Sequence, residues 1–248
     1  MRAFTRCLIA SSLLIGISLA LASCGYPLMT SSNVRGSGTV KTEVRKVSHF
    51  DAITFSALGT VQIVQSGVEG VSVTAEDNFL PLLNTAIEGT TLDIHVQSGV
   101  NLHPTKPILF LVAVKQLNSI TLSGVGTITA AKLAGSHLAL ALSGAGTMTL
   151  HNLTLTTLTA TLSGAGSLTL TGQAQTQTVT LSGAGSYLAK DLATHNAAVT
   201  LSGTGSAAIR ASDTLDVTIT GAGSLTYYGN PTVTKHITGV GTVKQGGA

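Results

Sequence analysis

The chain has 248 residues, of which 9% are charged and 4% aromatic, with no Trp, while 44% are hydrophobic. That apolar content excludes a disordered chain, and past residue 22 no apolar run reaches the roughly 20 residues of a membrane-spanning helix. The formal net charge is +3 without a basic cluster, which excludes the electrostatic footprint that nucleic-acid binding needs.

Arg2 and Arg6 precede an apolar stretch, Leu8 to Ala20, too short to span a bilayer comfortably, and residues 1–23 read as an export signal. The signal ends in Leu21-Ala22-Ser23-Cys24, which resembles the lipobox of bacterial lipoproteins. In such proteins the signal is cut before the Cys, whose sulfur takes a diacylglyceryl group and whose amine is acylated. The resemblance implies lipid attachment at Cys24 and a membrane partner. Three acyl chains exceed the two signals that stable anchoring takes, each buried methylene adding roughly 0.8 kcal/mol. Cys7 leaves with the signal, so no thiol remains for a disulfide, a metal or a nucleophile. Without Arg2 and Arg6, 11 basic residues stand against 10 acidic ones, a net charge of +1. Gly25 occupies the place where an Asp retains Gram-negative lipoproteins at the inner membrane. That resemblance implies the outer membrane and leaves open which side the domain faces. Residues 24–35 are the lipidated Cys and a flexible tether.

Residues 36–119 are irregular but β-rich, and are expected to form distorted first rungs and a cap. His49 to Val64 alternates through Phe50, Ile53 and Phe55, then Val61 and Ile63, and Leu92-Asp93-Ile94-His95-Val96 alternates likewise. Asp77 to Leu83 predicts one short helical turn with Asp77 as its cap. Ile108 to Val114 predicts an apolar strand leading into the regular part.

From residue 120 to 245 a short cassette repeats. It reads LSGVGT from Leu122, LSGAGT from Leu142, LSGAGS from Leu162 and Leu181, LSGTGS from Leu201, ITGAGS from Ile219 and ITGVGT from Ile237. The offsets are 20, 20, 19, 20, 18 and 18 residues, which marks one unit stacked on copies of itself. Within Leu153 to Gly172 the apolar period is two, as in a half-buried strand. Its parity flips near Thr156-Thr157, and further corners fall at Gly164–Gly166 and at Thr171-Gly172. The cassette glycines are expected where side chains have no room and φ turns positive. Three short strands and three corners per 18–20 residues make the fold all-β, a single-stranded parallel β-helix, right-handed as parallel connections usually are. Stacked in register, the cassette Leu and Ile residues form an interior ladder, and Ser123, Ser143, Ser163, Ser182, Ser202, Thr220 and Thr238 an exterior one.

His49-Phe50-Asp51-Ala52-Ile53, Val61-Gln62-Ile63-Val64-Gln65, Glu76-Asp77-Asn78 followed by Leu80, Thr91-Leu92-Asp93-Ile94 and the Leu-Ser-Gly-Ala-Gly-Ser cassettes together resemble a known family. This is the GIN-domain group of bacterial exported proteins, labelled as auto-transporter adhesin head domains, and the likeness spans roughly residues 36–245. The resemblance implies a β-helical extracytoplasmic domain and adhesion. The family carries no agreed catalytic or binding residues to transfer.

Catalytic β-helix proteins that act on glycans gather carboxylates on one face. From residue 120 onward the only acids are Asp191, Asp213 and Asp216. Asp213 and Asp216 are candidates to share a corner near Asp191 on the rung below, giving a glycan lyase or hydrolase as the alternative function. The simpler account is three solvated corner residues. The seven His residues fall in no metal-ligand spacing, so no metal and no cofactor is expected. The leading expectation is a non-enzymatic envelope scaffold whose partners are the membrane and an envelope protein or glycan, with no nucleic acid. After Val243 little remains to cover the last sheet edge, so weak self-association is expected there.

Overall fold

The computed structural model of the protein describes residues 31–247. It is a β-solenoid, built by parallel strands that stack each cassette on the one before it. Leu122 pairs with Leu142, Leu142 with Leu162, and Leu162 with Leu181, the register continuing through Leu201 and Ile219 to Ile237. Each of these residues through Ile219 is buried. Ile237, on the last described rung, is 42% exposed because no further rung covers it among the described residues. The hydroxyl ladder from Ser123 to Thr238 faces out along its whole length. Burying an aliphatic side chain contributes about 1.5–3 kcal/mol, so each rung is stabilised chiefly by its two neighbours.

The cassette glycines serve a different need from the expected one. None of them has positive φ. A Cβ placed on Gly164 would fall on the carbonyl oxygen of Gly144, and one on Gly183 would fall on that of Gly164, the same clash recurring at Gly203, Gly221 and Gly239. The constraint is the close approach of successive rungs. Left-handed backbone appears instead at the corner predicted near Thr171-Gly172, where Gly172 has φ of 125° and Asn152, one rung below, has φ of 48°. The corner predicted at Thr156-Thr157 is present as a break in pairing that skips Thr156 and Gln175.

The N-terminal part is folded back on itself. The strand Thr91–Val96 pairs with Ala52–Phe55, which pairs with Ser119–Leu122. On the next side Leu109–Val114 pairs with Leu58–Gln65, which pairs with Val125–Ala130. Residues 52–65 therefore lie between the terminal rung and the regular repeats, although they come first in the chain. The end of the coil is closed by antiparallel strands: Leu83–Glu88 lies beside Thr91–Val96, and Gly70–Glu76 beside Leu109–Val114, with Val40–Arg45 outermost. Antiparallel strands end a parallel solenoid without adding a rung.

Two further expectations are corrected here. Ser32–Arg35 is a strand paired with Val100–His103, so ordered structure begins within the stretch expected as tether. The helical turn exists as a short 3-10 turn, Leu80–Leu82, but Phe79 occupies the cap position and makes no side-chain cap bond. Asp77 is drawn elsewhere: its carboxylate accepts from Ser37 Oγ at 2.6 Å and pairs with Lys41 at 3.2 Å. Its neighbours complete a clamp on the incoming chain. Asn78 accepts from the Ser37 amide and donates to the Arg35 carbonyl. The buried Glu76 carboxylate accepts from the backbone amides of Gly38, Thr105 and Lys106 and from the Thr105 hydroxyl. Desolvation raises the Glu76 carboxyl, but these hydrogen bonds outweigh it and hold the group below the ordinary carboxylate range.

Candidate functional site

The third side of the solenoid changes length partway along. Ser186 pairs with Ser206 and Asn196 with Thr214, so a ten-residue path around this side becomes one of eight. The next rung keeps the shorter path, since Ser206 pairs with Ser224 and Thr214 with Thr232. This accounts for the two offsets of 18. The retreat of the wall leaves a step, and at the step lies an open groove of about 750 Å³.

The groove has a floor and two rails. Gly135, Leu155, Ala174 and Thr194 stack in register along the floor. Beside it runs one exposed rail through Thr154 and Gln173, and a second through Thr156, Gln175 and His195. Two outward residues flank each inward one because a strand alternates its faces. Beyond the step, Arg210, Ala211, Ser212 and Asn230 line the far end.

A buried polar network underlies the step. Gln177 stands where neighbouring rungs place Leu158 and Ala197 in the core, and it is 1% exposed. The fully buried Tyr187 donates its hydroxyl to Gln177 Oε1 at 3.0 Å. Gln177 Nε2 donates to Thr194 Oγ1 at 2.8 Å and to the Arg210 carbonyl at 3.3 Å, and Thr194 Oγ1 donates to that same carbonyl. The strand Ser206–Arg210 ends at the shortened corner, and its last carbonyl turns toward the core. A buried carbonyl without a partner costs about 1–3 kcal/mol. Gln177 and Thr194 supply its partners, and burial drives the Tyr187 hydroxyl to hold its proton far above the usual range.

The residues singled out from sequence are placed as follows. Asp191 lies opposite Thr171 and pairs with Lys190 at 2.9 Å. Asp213 sits at the step, where it accepts from Ser212 Oγ at 2.5 Å and faces His195 Nδ1 at 3.4 Å. The Ser212 hydrogen bond, with His195 adding to it, lowers the Asp213 carboxyl below its usual value. Asp216 lies in register with Ala198 and Thr234. The rung below places His195, and not Asp191, against Asp213, so the register does not bring the three carboxylates to one corner. His137 shares a ladder with Thr157, Thr176 and Asn196, three rungs from His195's neighbour. No group of three or more His, Cys, Asp or Glu side chains converges among the described residues. Cys24 lies outside the described residues.

Sequence reasoning missed the groove and its network. The signal was present: Gln177 occupies an interior parity position, and the cassette offset falls to 18 after Leu201.

Fold and site together define a parallel β-solenoid with a polar groove set into one side. The family model described as "Putative auto-transporter adhesin, head GIN domain" matches residues 49–231, and the chain belongs to that family. A crystal structure described as a putative adhesin from Bacteroides fragilis is 26% identical, with a TM-score of 0.82 over 86% of this chain and 99% of that one. A protein from Parabacteroides distasonis described as a putative lipid binding protein shares the fold at 22% identity and a TM-score of 0.71, over 87% of this chain and 100% of that one. A putative adhesin from Parabacteroides merdae does so at 22% identity and 0.67, over 87% of this chain and 99% of that one. No curated protein matches the chain.

Proposed function

We propose that this is an exported cell-envelope protein, lipidated on Cys24 and held at the outer membrane, that acts by binding and not by catalysis. The adhesin descriptions of its family and of the Bacteroides relative support an adhesion or envelope-interaction role. The observation that carries the reading is the groove: a preformed recess whose rails are hydroxyl and amide side chains, with His195 and Arg210 at its far end, and beside which Asp191 and Asp213 are engaged with different partners. Glycan hydrolysis needs two carboxylates facing one bond across about 5–9.5 Å. At the groove's edge Asp213 faces His195, and Asp191 is taken up by Lys190.

Three measurements test this. Radiolabelled palmitate is expected in the wild-type protein and absent from Cys24→Ser. A membrane-impermeant amine label should reach the protein on intact cells as it does in lysates; labelling only after lysis would contradict surface adhesion. Wild type and the D191A, D213A and D216A variants should all release no reducing ends from envelope glycans. Release by wild type that any of these substitutions abolishes would establish the enzymatic alternative.

Self-association through the last described rung belongs to the same proposal. Thr232–Ile237 and Thr242–Gln245 each pair on one side only, and Val240 is 83% exposed. The opposite end carries antiparallel strands and no matching parallel rung, so the contact proposed is between like edges of two copies about a twofold axis. Such an isologous contact closes as a dimer and does not grow into a fibre. Sedimentation of the Cys24→Ser chain is expected to show dimer at high concentration, and a strict monomer would contradict it.

A further inference from the structure

We infer that the third-side groove is a binding site for a linear acidic glycan, laid along the solenoid axis with a carboxylate-bearing sugar against Arg210. This rests on the reading of the protein as a binding module and names the ligand class of its site.

Shape is the first argument. The groove volume of about 750 Å³ lies within the range of ligand sites. It extends over successive rungs from Gly135 to Asn230, five steps of about 4.8 Å or roughly 24 Å. It is an open trough, suited to a polymer that passes through and not to an enclosed small molecule. The rung spacing is close to the length of one pyranose unit in an extended chain, so each rung can meet one sugar.

Chemistry selects among linear ligands. The rails offer hydroxyls and carboxamides that both donate and accept, as sugar hydroxyls require. Between them the floor is the backbone at Leu155 and Ala174, whose side chains turn into the core, so the rails alone meet the ligand's hydroxyls. An acyl chain would find little apolar lining to bury it, since Leu155 and Ala174 turn inward and the exposed rails are polar. A peptide adding as a strand would need free backbone groups, whereas the third-side backbone is already paired from rung to rung.

Charge sets the polarity. At the step, Lys190 is taken by Asp191 and His195 by Asp213. Arg210 has no carboxylate partner among the described residues. Its Nε donates to the Lys190 carbonyl at 2.9 Å, and its guanidinium lies 5.9 Å from the centre of the Tyr228 ring. A guanidinium so held at the end of a neutral trough is preorganised for a carboxylate.

The test is calorimetric titration of the full Cys24→Ser chain with hexamers of galacturonate, mannuronate and hyaluronate, and with the methyl ester of whichever binds. At least one acidic hexamer should bind and its methyl ester should bind about tenfold or more weakly, the fold-change of one lost charged hydrogen bond. Arg210→Ala should lose affinity by the same factor with the β-solenoid fold retained by circular dichroism, and Arg210→Lys should recover part of it. Gln173→Ala with Gln175→Ala, on exposed rails, should weaken both hexamer and ester. No binding of any acidic hexamer at millimolar concentration, or full affinity in Arg210→Ala, would overturn the inference. So would capture of the protein by phosphatidylethanolamine–phosphatidylglycerol vesicles in place of the hexamers. Those failures leave the binding-module reading standing if intact-cell labelling holds, whereas release of reducing ends from a bound hexamer would sink that reading and not the site.

Discussion

Replacing Gln177 by Leu tests whether the buried polar side chains beneath the step depend on one another, Gln177 being the acceptor of the Tyr187 hydroxyl. Leu fills the space that Gln177 occupies and is the residue at the same position on the rung below, Leu158, so no cavity opens. Thr194 still donates to the Arg210 carbonyl. The Tyr187 hydroxyl, however, loses the Gln177 acceptor that it holds at 3.0 Å, in a side chain that is fully buried. An orphaned buried hydroxyl costs about 1–3 kcal/mol, and the added apolar surface offsets about 1 kcal/mol of it. Gln177→Leu should therefore lose up to about 2 kcal/mol, or up to roughly 8 °C in Tm for a domain of this size. Tyr187→Phe alone should lose a similar amount by stranding Gln177 Oε1. The double variant removes both partners and should be close to wild type, so that the coupling in the cycle equals the sum of the two single losses. Urea and thermal unfolding followed by circular dichroism measure this. A double variant as unstable as the two singles combined would show that Gln177 and Tyr187 are not coupled and refute the reasoning.

Leu162→Ala removes one step of the fully packed interior ladder and should cost about 2–5 kcal/mol in urea unfolding. Gly164→Ala pushes a methyl group onto the Gly144 carbonyl and should cost about 3 kcal/mol, the upper end of overpacking, while Ala165→Ser beside it, exposed in the same cassette, should be neutral. Equal effects of the last two would contradict the close-approach account. The Glu76 carboxyl is held below its unfolded value of about 4.3. Its contribution to stability is therefore complete above that value and is lost as pH falls through the lower folded one. Glu76→Gln should have a lower Tm at neutral pH and a flatter decline of Tm in acid; an unchanged acid profile would show that the clamp does not depend on the charge.

The regular half of the fold was legible because its period is its geometry. A Leu every 18–20 residues followed by Ser-Gly can be satisfied only by stacking, and the observed register joins those residues from Leu122 to Ile237. The N-terminal half was legible as strands but not as an arrangement. Alternation in His49 to Val64 reveals a buried face, yet nothing local places residues 52–65 between strands that come much later in the chain, Thr91–Val96 and Leu109–Val114 on one side and Ser119–Leu122 and Val125–Ala130 on the other. Asp77 looked like a helix cap because Asp before an apolar turn commonly is one; the tertiary partners Ser37 and Lys41 won. Cassette glycines looked like sites of positive φ because Gly supplies that freedom, whereas the contact that requires them lies on the neighbouring rung and is invisible in one repeat. The groove lies in the same blind spot. The shorter offsets showed that two residues were missing, but only the register locates the loss on the third side and links it to Gln177.

The central claim is that recognition belongs to the stepped third side and not to the hydroxyl ladder of the cassettes. Amide hydrogen exchange of the Cys24→Ser chain, with and without the acidic hexamer that binds it, tests this directly. Added protection should concentrate at residues 154–156, 173–175, 193–195 and 210–213, with the cassette amides at 163–167 and 182–186 unchanged. Protection confined to the cassettes, or spread evenly along the rungs, would contradict the account.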